Sequence, residues 1–360
     1  MPKRLKQNET AEIRGALLRW FRRSARPLPW RGSKSAYPVW VSEVMLQQTQ
    51  VATVIPYFNR FLRVFPTIQD LARAPLERVL QLWSGLGYYR RARQLHQAAR
   101  IVCEEFGGDF PQQYHLARSL PGVGDYTARA VLSIAYSVPL YVLDGNVARV
   151  IARILALRAN MHQSSFRQSV TRALECLLSK RRPGEFNQAV MELGQTVCTP
   201  RDPRCTLCPL KSNCRGYNLG SPQRYPAPRP RRAAELHYLA TAIIRRGDRV
   251  GMIRGLDDGV LSDLWNFPSA FGVSPAKALA RLKEKLAALS EGQVEIGPPF
   301  SEIKHGITFR AIRVRTYSAR IVEEPARNSL RWFRVSTLPK EAVSQLARKI
   351  AGLVLQSAST

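Results

Sequence analysis

The sequence predicts two domains, the first nearly all α-helical and the second α+β. Three observations carry this expectation. Across residues 12–197, apolar side chains recur at three- and four-residue spacing, broken by Pro and Gly. Four cysteines, Cys198, Cys205, Cys208 and Cys214, close that stretch. A proline- and arginine-rich segment then separates it from short strand-like runs. The 360 residues suit two domains at roughly 150 residues each. The boundaries read as 1–220, a linker over 221–234, and 235–360.

Helical spacing is clearest in Ile13, Leu17 and Phe21, in Val51, Ile55 and Phe58, and in Val147, Ile151 and Leu155. Helices continue through 166–178 and 186–197. Pro222, Pro226, Pro228 and Pro230 predict an extended, semi-rigid linker. Beyond it, residues 238–245, 250–254, 311–317 and 330–335 read as strands, and 275–289 and 339–355 as helices. There is no internal repeat. No apolar run reaches the roughly 18 residues that a membrane span needs, and the basic start leads into polar residues rather than an apolar signal core. A soluble, monomeric protein of a bacterial cytoplasm is the expectation.

Fifty-five Lys and Arg against 26 Asp and Glu give a net charge of +29. Such an excess concentrates polyanions and supplies phosphate contacts, so nucleic acid is the leading partner. A merely solvated basic surface or attraction to a membrane surface are the plainer readings. Cys103 and Cys176 lie in helical apolar contexts and read as buried thiols. The other four cysteines follow C-x6-C-x2-C-x5-C, close enough for all four to hold one metal centre. Zinc usually takes two C-x2-C pairs and only one is present; a single loop wrapped around a [4Fe-4S] cluster fits better. Arg201, Arg204, Lys211 and Arg215 lie among these cysteines, placed to meet phosphates.

Between two helical segments sits Leu120-Pro121-Gly122-Val123-Gly124-Asp125-Tyr126-Thr127-Ala128. Gly122 and Gly124 permit tight turns and let backbone amides approach an anion, and the next helix points its positive end there. Taken alone, Gly-x-Gly is often only a turn. With its flanks it resembles a helix-hairpin-helix motif, and together with the cysteine spacing it resembles the endonuclease III and MutY glycosylases. Ser42-Glu43-Val44-Met45-Leu46-Gln47-Gln48-Thr49 and Asp144-Gly145-Asn146-Val147 resemble the catalytic segments of the MutY-type adenine DNA glycosylases.

That resemblance implies a base-excision repair enzyme that flips adenine from a pair with 8-oxoguanine or guanine in duplex DNA and hydrolyses its glycosidic bond. Glu43 would protonate adenine at N7 and then help activate water; a surface glutamate is the plain alternative. Asp144 would stabilise the sugar cation, although an Asp before a helix is also a good N-cap. Asn146 would orient Asp144 or the water, and Tyr126 would line the site. Where lyase-competent relatives carry a nucleophilic lysine, this chain has Tyr126, so base removal without an efficient strand cut is implied. Leu28, Trp30 and Arg31 match part of the adenine pocket, and Gln188 its polar contact. Gln48 and Tyr88 match residues that wedge into the duplex beside the flipped base.

In the second domain, the string from Leu261 to Pro268 resembles one in the MutY C-terminal domain, a relative of Nudix hydrolases. Its helix at 276–285 lacks paired glutamates, so lesion recognition rather than hydrolysis is implied. Thr308 keeps a hydroxyl for 8-oxoguanine, but Phe309 stands where the family carries a second histidine, which weakens the implied lesion preference. Three rivals stand beside this reading: an endonuclease III-like bifunctional glycosylase–lyase, a non-catalytic iron–sulfur DNA-binding protein, and a cluster-free zinc-binding RNA factor, which would explain the charge and cysteines but not the hairpin or the carboxylates.

Overall fold

The computed structural model describes residues 5–33, 35–159, 161, 163–227, 234–256, 264–290, 294–307, 310–321 and 330–356. The chain forms two compact units, Met1–Arg73 with Gln94–Pro230, and Ala74–Arg93 with Arg231–Thr360. Residues 74–93, placed by the sequence in the first domain, therefore group with the second. Their side chains explain it: Ser84 Oγ donates to the Val343 carbonyl (3.0 Å) and accepts from Arg348 Nη2 (2.7 Å), and Gln81 bonds Glu341 (3.5 Å).

The helices, in chain order, are α1 (Gln7–Ser24), α2 (Ala36–Leu46), α3 (Val51–Val64), α4 (Ile68–Arg73), α5 (Leu76–Trp83), α6 (Arg90–Glu105), α7 (Tyr114–Ser119), α8 (Asp125–Ala135), α9 (Gly145–Leu155), α10 (Ser164–Leu177), α11 (Pro183–Thr196) and the short α12 (Arg215–Asn218). Helix α2, Ala-Tyr-Pro-Val-Trp-Val-Ser-Glu-Val-Met-Leu, is apolar on nearly every side, and nine of its residues are buried. Such a helix belongs inside a domain, and its Pro38 sits in the first turn, where a missing N–H costs nothing. The core of this unit joins Ile13, Leu17 and Phe21 of α1 to Val147, Ile151 and Ile154 of α9, Val170 and Leu174 of α10, and Phe186 and Leu193 of α11. Each such side chain contributes roughly 1.5–3 kcal/mol by leaving water.

Close approach between helices depends on glycine at two places. A Cβ on Gly184 would stand 2.5 Å from the Ser133 carbonyl of α8, and one on Gly194 would stand 2.8 Å from Asn146 Cβ. Helix α11 can therefore lie directly against α8 and α9.

The second unit holds a mixed sheet in the order β3-β2-β1-β6-β5, where β1 is Glu235–Arg246, β2 Arg249–Arg254, β3 Trp265–Asn266, β5 Val294–Ile307 and β6 Arg310–Ile321; β4 (Ser269–Gly272) pairs with β1, and β7 (Arg331–Arg334) with β2. Strands β1 and β6 run parallel at its centre. Helix α13 (Pro275–Ser290) covers one face through Ala278, Leu282 and Leu286 against Ala240, Ala242 and Ile244. Helix α14 (Gln345–Gln356) covers the other through Leu346, Ile350 and Val354 against Leu239 and Ile243. With both faces covered, β1 is buried from Leu239 to Ile244 without polar alternation.

Four further expectations change. Strand β5 is not apparent in the sequence, because Pro298 and Pro299 and its charged residues mask it; at the edge of a sheet such residues are tolerated. The helix expected over 339–355 begins only at Gln345: Val335–Lys340 is a 3-10 turn, and Ser344 Oγ caps the new helix by accepting the Ala347 N–H (3.0 Å). The start of the expected linker is docked rather than extended, since Tyr225 is buried and Arg153 Nε bonds the carbonyls of Pro222 and Tyr225. Cys176, expected buried, is exposed on α10, and Cys103 is half-buried. Thr308, Phe309 and the start of the string from Leu261 lie outside the described residues. Among the described residues, no helix is long and apolar enough to cross a membrane.

Candidate active site

A cleft of about 970 Å³ opens in the first unit, and most of the sequence-predicted residues line it. Helix α2 supplies Glu43. With only 5% of its surface exposed, this carboxyl is among the few buried charged side chains. Burial raises its pKa to about 7, the Tyr126 hydroxyl partly opposes the shift by donating a hydrogen bond, and the nearby Asp144 charge reinforces it. The Tyr126 hydroxyl also lies 2.9 Å from Met191 Sδ. A thioether is a weak acceptor, so the proton belongs on the Glu43 side. Burial and the same two carboxyls hold Tyr126 well above the usual phenol range, and it stays a donor at neutral pH.

Asp144 faces this pair from the N-terminus of α9. Its Oδ1 accepts the Val147 N–H (2.7 Å) and its Oδ2 the Asn146 amide (2.9 Å). The residue is thus the expected N-cap and a member of the cleft at once. Its position at a helix start, where dipoles converge, suits an anion. Asn146 is fixed in turn by Arg149, whose Nη2 donates to Asn146 Oδ1 (2.9 Å) and to the Gly194 carbonyl (2.7 Å). Arg149 Nε reaches the Cys198 carbonyl (2.9 Å), so one guanidinium ties the aspartate's partner to the first cysteine of the loop. Burial lowers the Arg149 pKa.

Leu28, Trp30, Arg31 and Gln188 also line the cleft. Trp30 is buried and meets Phe58 edge-on at 5.3 Å. Gln188 donates to its own helix at the Gly184 carbonyl (3.3 Å). Arg31 Nη2 and Arg26 Nη2 both bond Glu192 Oε2 at 2.7 Å, and Arg26 Nε bonds Oε1 at 2.6 Å. These arginines hold the Glu192 carboxyl below its usual range despite burial. Sequence reasoning missed Glu192, Arg26 and Arg149. For two of them the signal was helical spacing: Glu192 stands four residues after Gln188, and Arg149 three after Asn146.

Gln48 lines the cleft, whereas Tyr88, Gly122 and Gly124 do not. Gln48 and Tyr88 share a rarer property, left-handed backbone at φ 57° and 50°; among the described non-glycine residues only Ser137 and Ala156 join them. The hairpin forms as expected between α7 and α8. Gly122 adopts φ 76°, and at Gly124, the N-cap of α8, an added Cβ would meet open space. Asp125 ties α8 to α7 by accepting from the Tyr114 hydroxyl, and is held within α8 by Arg129 Nε.

Cys198, Cys205, Cys208 and Cys214 line a single cavity with Arg153 and Lys211. Arg153 Nη1 lies 3.2 Å from Cys198 Sγ. Burial, with neighbouring sulfurs, pushes the Cys208 thiol to about 12 against the Leu210 N–H, and raises Cys214 against the N–H groups of Tyr217 and Gly216. Neighbouring sulfurs oppose the ionisation of Cys205, Cys208 and Cys214, while N–H donors at Cys208 and Cys214 and the Arg153 guanidinium beside Cys198 favour negative charge, which fits a set of thiolates gathered on a positive metal centre. Among the described residues no three His, Cys, Asp or Glu gather closely enough for a single ion.

Residues 41–176 match the family described as HhH-GPD superfamily base excision DNA repair protein. A structure of a thermostable thymine-DNA glycosylase superposes with a TM-score of 0.53 at 25% identity, covering 59% of this chain and 98% of that one. An endonuclease III–DNA complex shares the fold at a TM-score of 0.51 and 23% identity, covering 60% and 99%. Fold and cleft thus define a helix-hairpin-helix DNA glycosylase of base-excision repair. The mouse adenine DNA glycosylase is 35% identical over 95% of this chain and 78% of its own length; the human one is 39% identical over 82% and 64%. The chain belongs to the adenine DNA glycosylase family.

Proposed function

We propose that this enzyme removes adenine from pairs with 8-oxoguanine or guanine in duplex DNA, with Glu43 as general acid and Asp144 as the stabiliser of the sugar cation. The observation that carries the reading is the pairing of a buried Glu43, holding its proton to about pH 7, with an Asp144 anchored as a helix cap in the same cleft. Glycoside cleavage needs two carboxyl groups kept in different environments. An extruded adenine enters between the Leu28–Trp30–Arg31 segment and Gln188. Glu43 passes its proton to N7, which makes the base a neutral leaving group. Positive charge then grows on the deoxyribose, and Asp144, steadied by Asn146 and Arg149, lowers its energy. Deprotonated Glu43, with Tyr126 donating to it, accepts a proton from the incoming water.

No amine stands at position 126, so strand scission by Schiff-base chemistry has no nucleophile there. Gly122, Gly124 and the N-terminus of α8 bind a phosphate, and Gln48 and Tyr88 are each assigned as a wedge into the duplex. We assign a [4Fe-4S] cluster to Cys198, Cys205, Cys208 and Cys214; when bound, it braces the basic loop that carries Arg204 and Lys211. The second domain reads the base opposite adenine, with Thr308 as donor. It is a Nudix-like module without hydrolysis, since α13 carries Glu284 as its one acidic residue. We take the enzyme to act as a monomer in a bacterial cytoplasm.

Single-turnover release of adenine from duplexes with 8-oxoguanine, guanine or thymine opposite tests this, with neutral and alkaline work-up in parallel. Release opposite the first two, with breaks only after alkali, is expected. Equal rates for 8-oxoguanine and guanine would remove the lesion-reading role from Thr308. No release from any duplex would leave only DNA binding.

A further inference from the structure

The loop between α5 and α6, residues 84–89, bends in a way that ordinary side chains resist. Gly85 and Gly87 take φ 107° and 73°, which glycine tolerates, but Tyr88 takes φ 50°, a conformation disfavoured for any residue with a large side chain. Its side chain is 45% exposed, so burial of the ring is not what holds the backbone there. The restraint comes from Arg91, in the first turn of α6. Only 8% of this residue is exposed. Its Nη2 donates to the carbonyls of Gly87 (3.2 Å) and Leu86 (3.5 Å), and its Nε to that of Tyr88 (3.4 Å). The guanidinium carbon also stands 5.4 Å from the centre of the Tyr88 ring and 5.5 Å from that of Trp83. Trp83 Nε1 donates to the Gly87 carbonyl as well (3.2 Å), so the indole and the guanidinium converge on one point of the loop.

Three successive carbonyls addressed by one buried cation make a bracket that a lysine cannot copy, because only guanidinium spreads five donors over a rigid plane. We propose that Arg91 is a positioning residue for base extrusion: it fixes the 86–88 backbone and presents the Tyr88 ring, preset in its left-handed pose, for entry into the base stack. The inference rests on the reading of Tyr88 as the wedge. A side chain preset before binding loses little freedom when it inserts, so extrusion is faster than with a loop that must first find the pose.

The test uses the full-length protein with Glu43→Gln in every variant, so that extrusion is observed without cleavage. A duplex carrying 2-aminopurine beside the target adenine reports unstacking as a fluorescence rise. Tyr88→Ala and Arg91→Met are each expected to slow that rise about tenfold, and the double variant is expected to be no slower than either, as for two residues acting through one contact. Arg91→Lys, which keeps the charge but not the plane of donors, should fall between; it serves where Arg91→Met folds poorly. A normal rise in Arg91→Met and Arg91→Lys alongside a slow one in Tyr88→Ala overturns the role of Arg91 alone. Additive losses in the double variant also overturn it, because Arg91 then acts elsewhere. A normal rise in Tyr88→Ala removes the wedge reading itself.

Discussion

Glu43 is the residue on which pH acts most directly. In the unfolded chain its carboxyl holds a proton to about 4.5, and in the fold to about 7. Below pH 4.5 both states are protonated and burial carries no charge penalty. As pH rises from 4.5 to 7, the unfolded chain releases the proton first, so stability falls, and it levels off above 7. The gap corresponds to about 3 kcal/mol. Glu43→Gln is therefore expected to raise the melting temperature at pH 8 and leave it nearly unchanged at pH 4.5, as thermal unfolding at the two pH values would show. The same substitution should abolish adenine release, a loss of at least roughly 100-fold, with duplex affinity kept; release at the wild-type rate would remove Glu43 from the acid's role. In the wild type, single-turnover rates should fall about tenfold per pH unit above 7, as the acid form is depleted.

At the scale of elements, the site depends on how α11, α8 and α9 pack. Gly194 is the point where α11 passes the Asn146 side chain, and a Cβ there would meet Asn146 Cβ at 2.8 Å and its carbonyl oxygen at 3.2 Å. Gly194→Ala is expected to move Asn146 and Arg149 together. The cost should be about 1–3 kcal/mol of stability from overpacking and a larger share of the single-turnover rate; equal rates with a lowered melting temperature would show that Asn146 does not steady Asp144. These contacts were not legible in the sequence. Periodicity marks which face of a helix is apolar, yet it does not say which helix meets that face. The motifs themselves were legible, because the hairpin and the α9 cap are local: Gly122 needs its positive φ and Asp144 its Val147 N–H within a few residues. Strand β5 was hidden because edge position, a tertiary property, is what makes its prolines acceptable.

For the whole molecule, the net charge of +29 favours contact with the phosphate backbone of DNA. Binding is expected to weaken steeply with salt, by roughly a thousandfold between 50 and 200 mM if six or more phosphates are engaged, as equilibrium titrations across that range would measure. A flat salt response would contradict a phosphate-led interface. The cysteine loop adds a second global handle. Cys208→Ser should reduce bound iron, loosen the loop on Arg153 and Arg149, and lower both duplex affinity and base release. Iron analysis alongside binding separates this from a purely structural thiol, whose loss would leave iron content unchanged.

The sequence by itself determined the local chemistry: the hairpin, the capped aspartate, the glutamate in an apolar helix, four cysteines at cluster spacing and a strongly basic chain. Each is written in neighbouring residues, where turn geometry, capping and ligand spacing act over a few bonds. Only the tertiary structure decided what those parts do to one another. Burial in α2 is what lifts Glu43 toward neutral pH, the Arg149 guanidinium is what joins Asn146 to the cysteine loop, and Ser84 and Gln81 are what place residues 74–93 with the second unit. Desolvation, ion pairing and glycine-width contacts depend on residues tens to hundreds of positions apart, and no local pattern records which of them will meet.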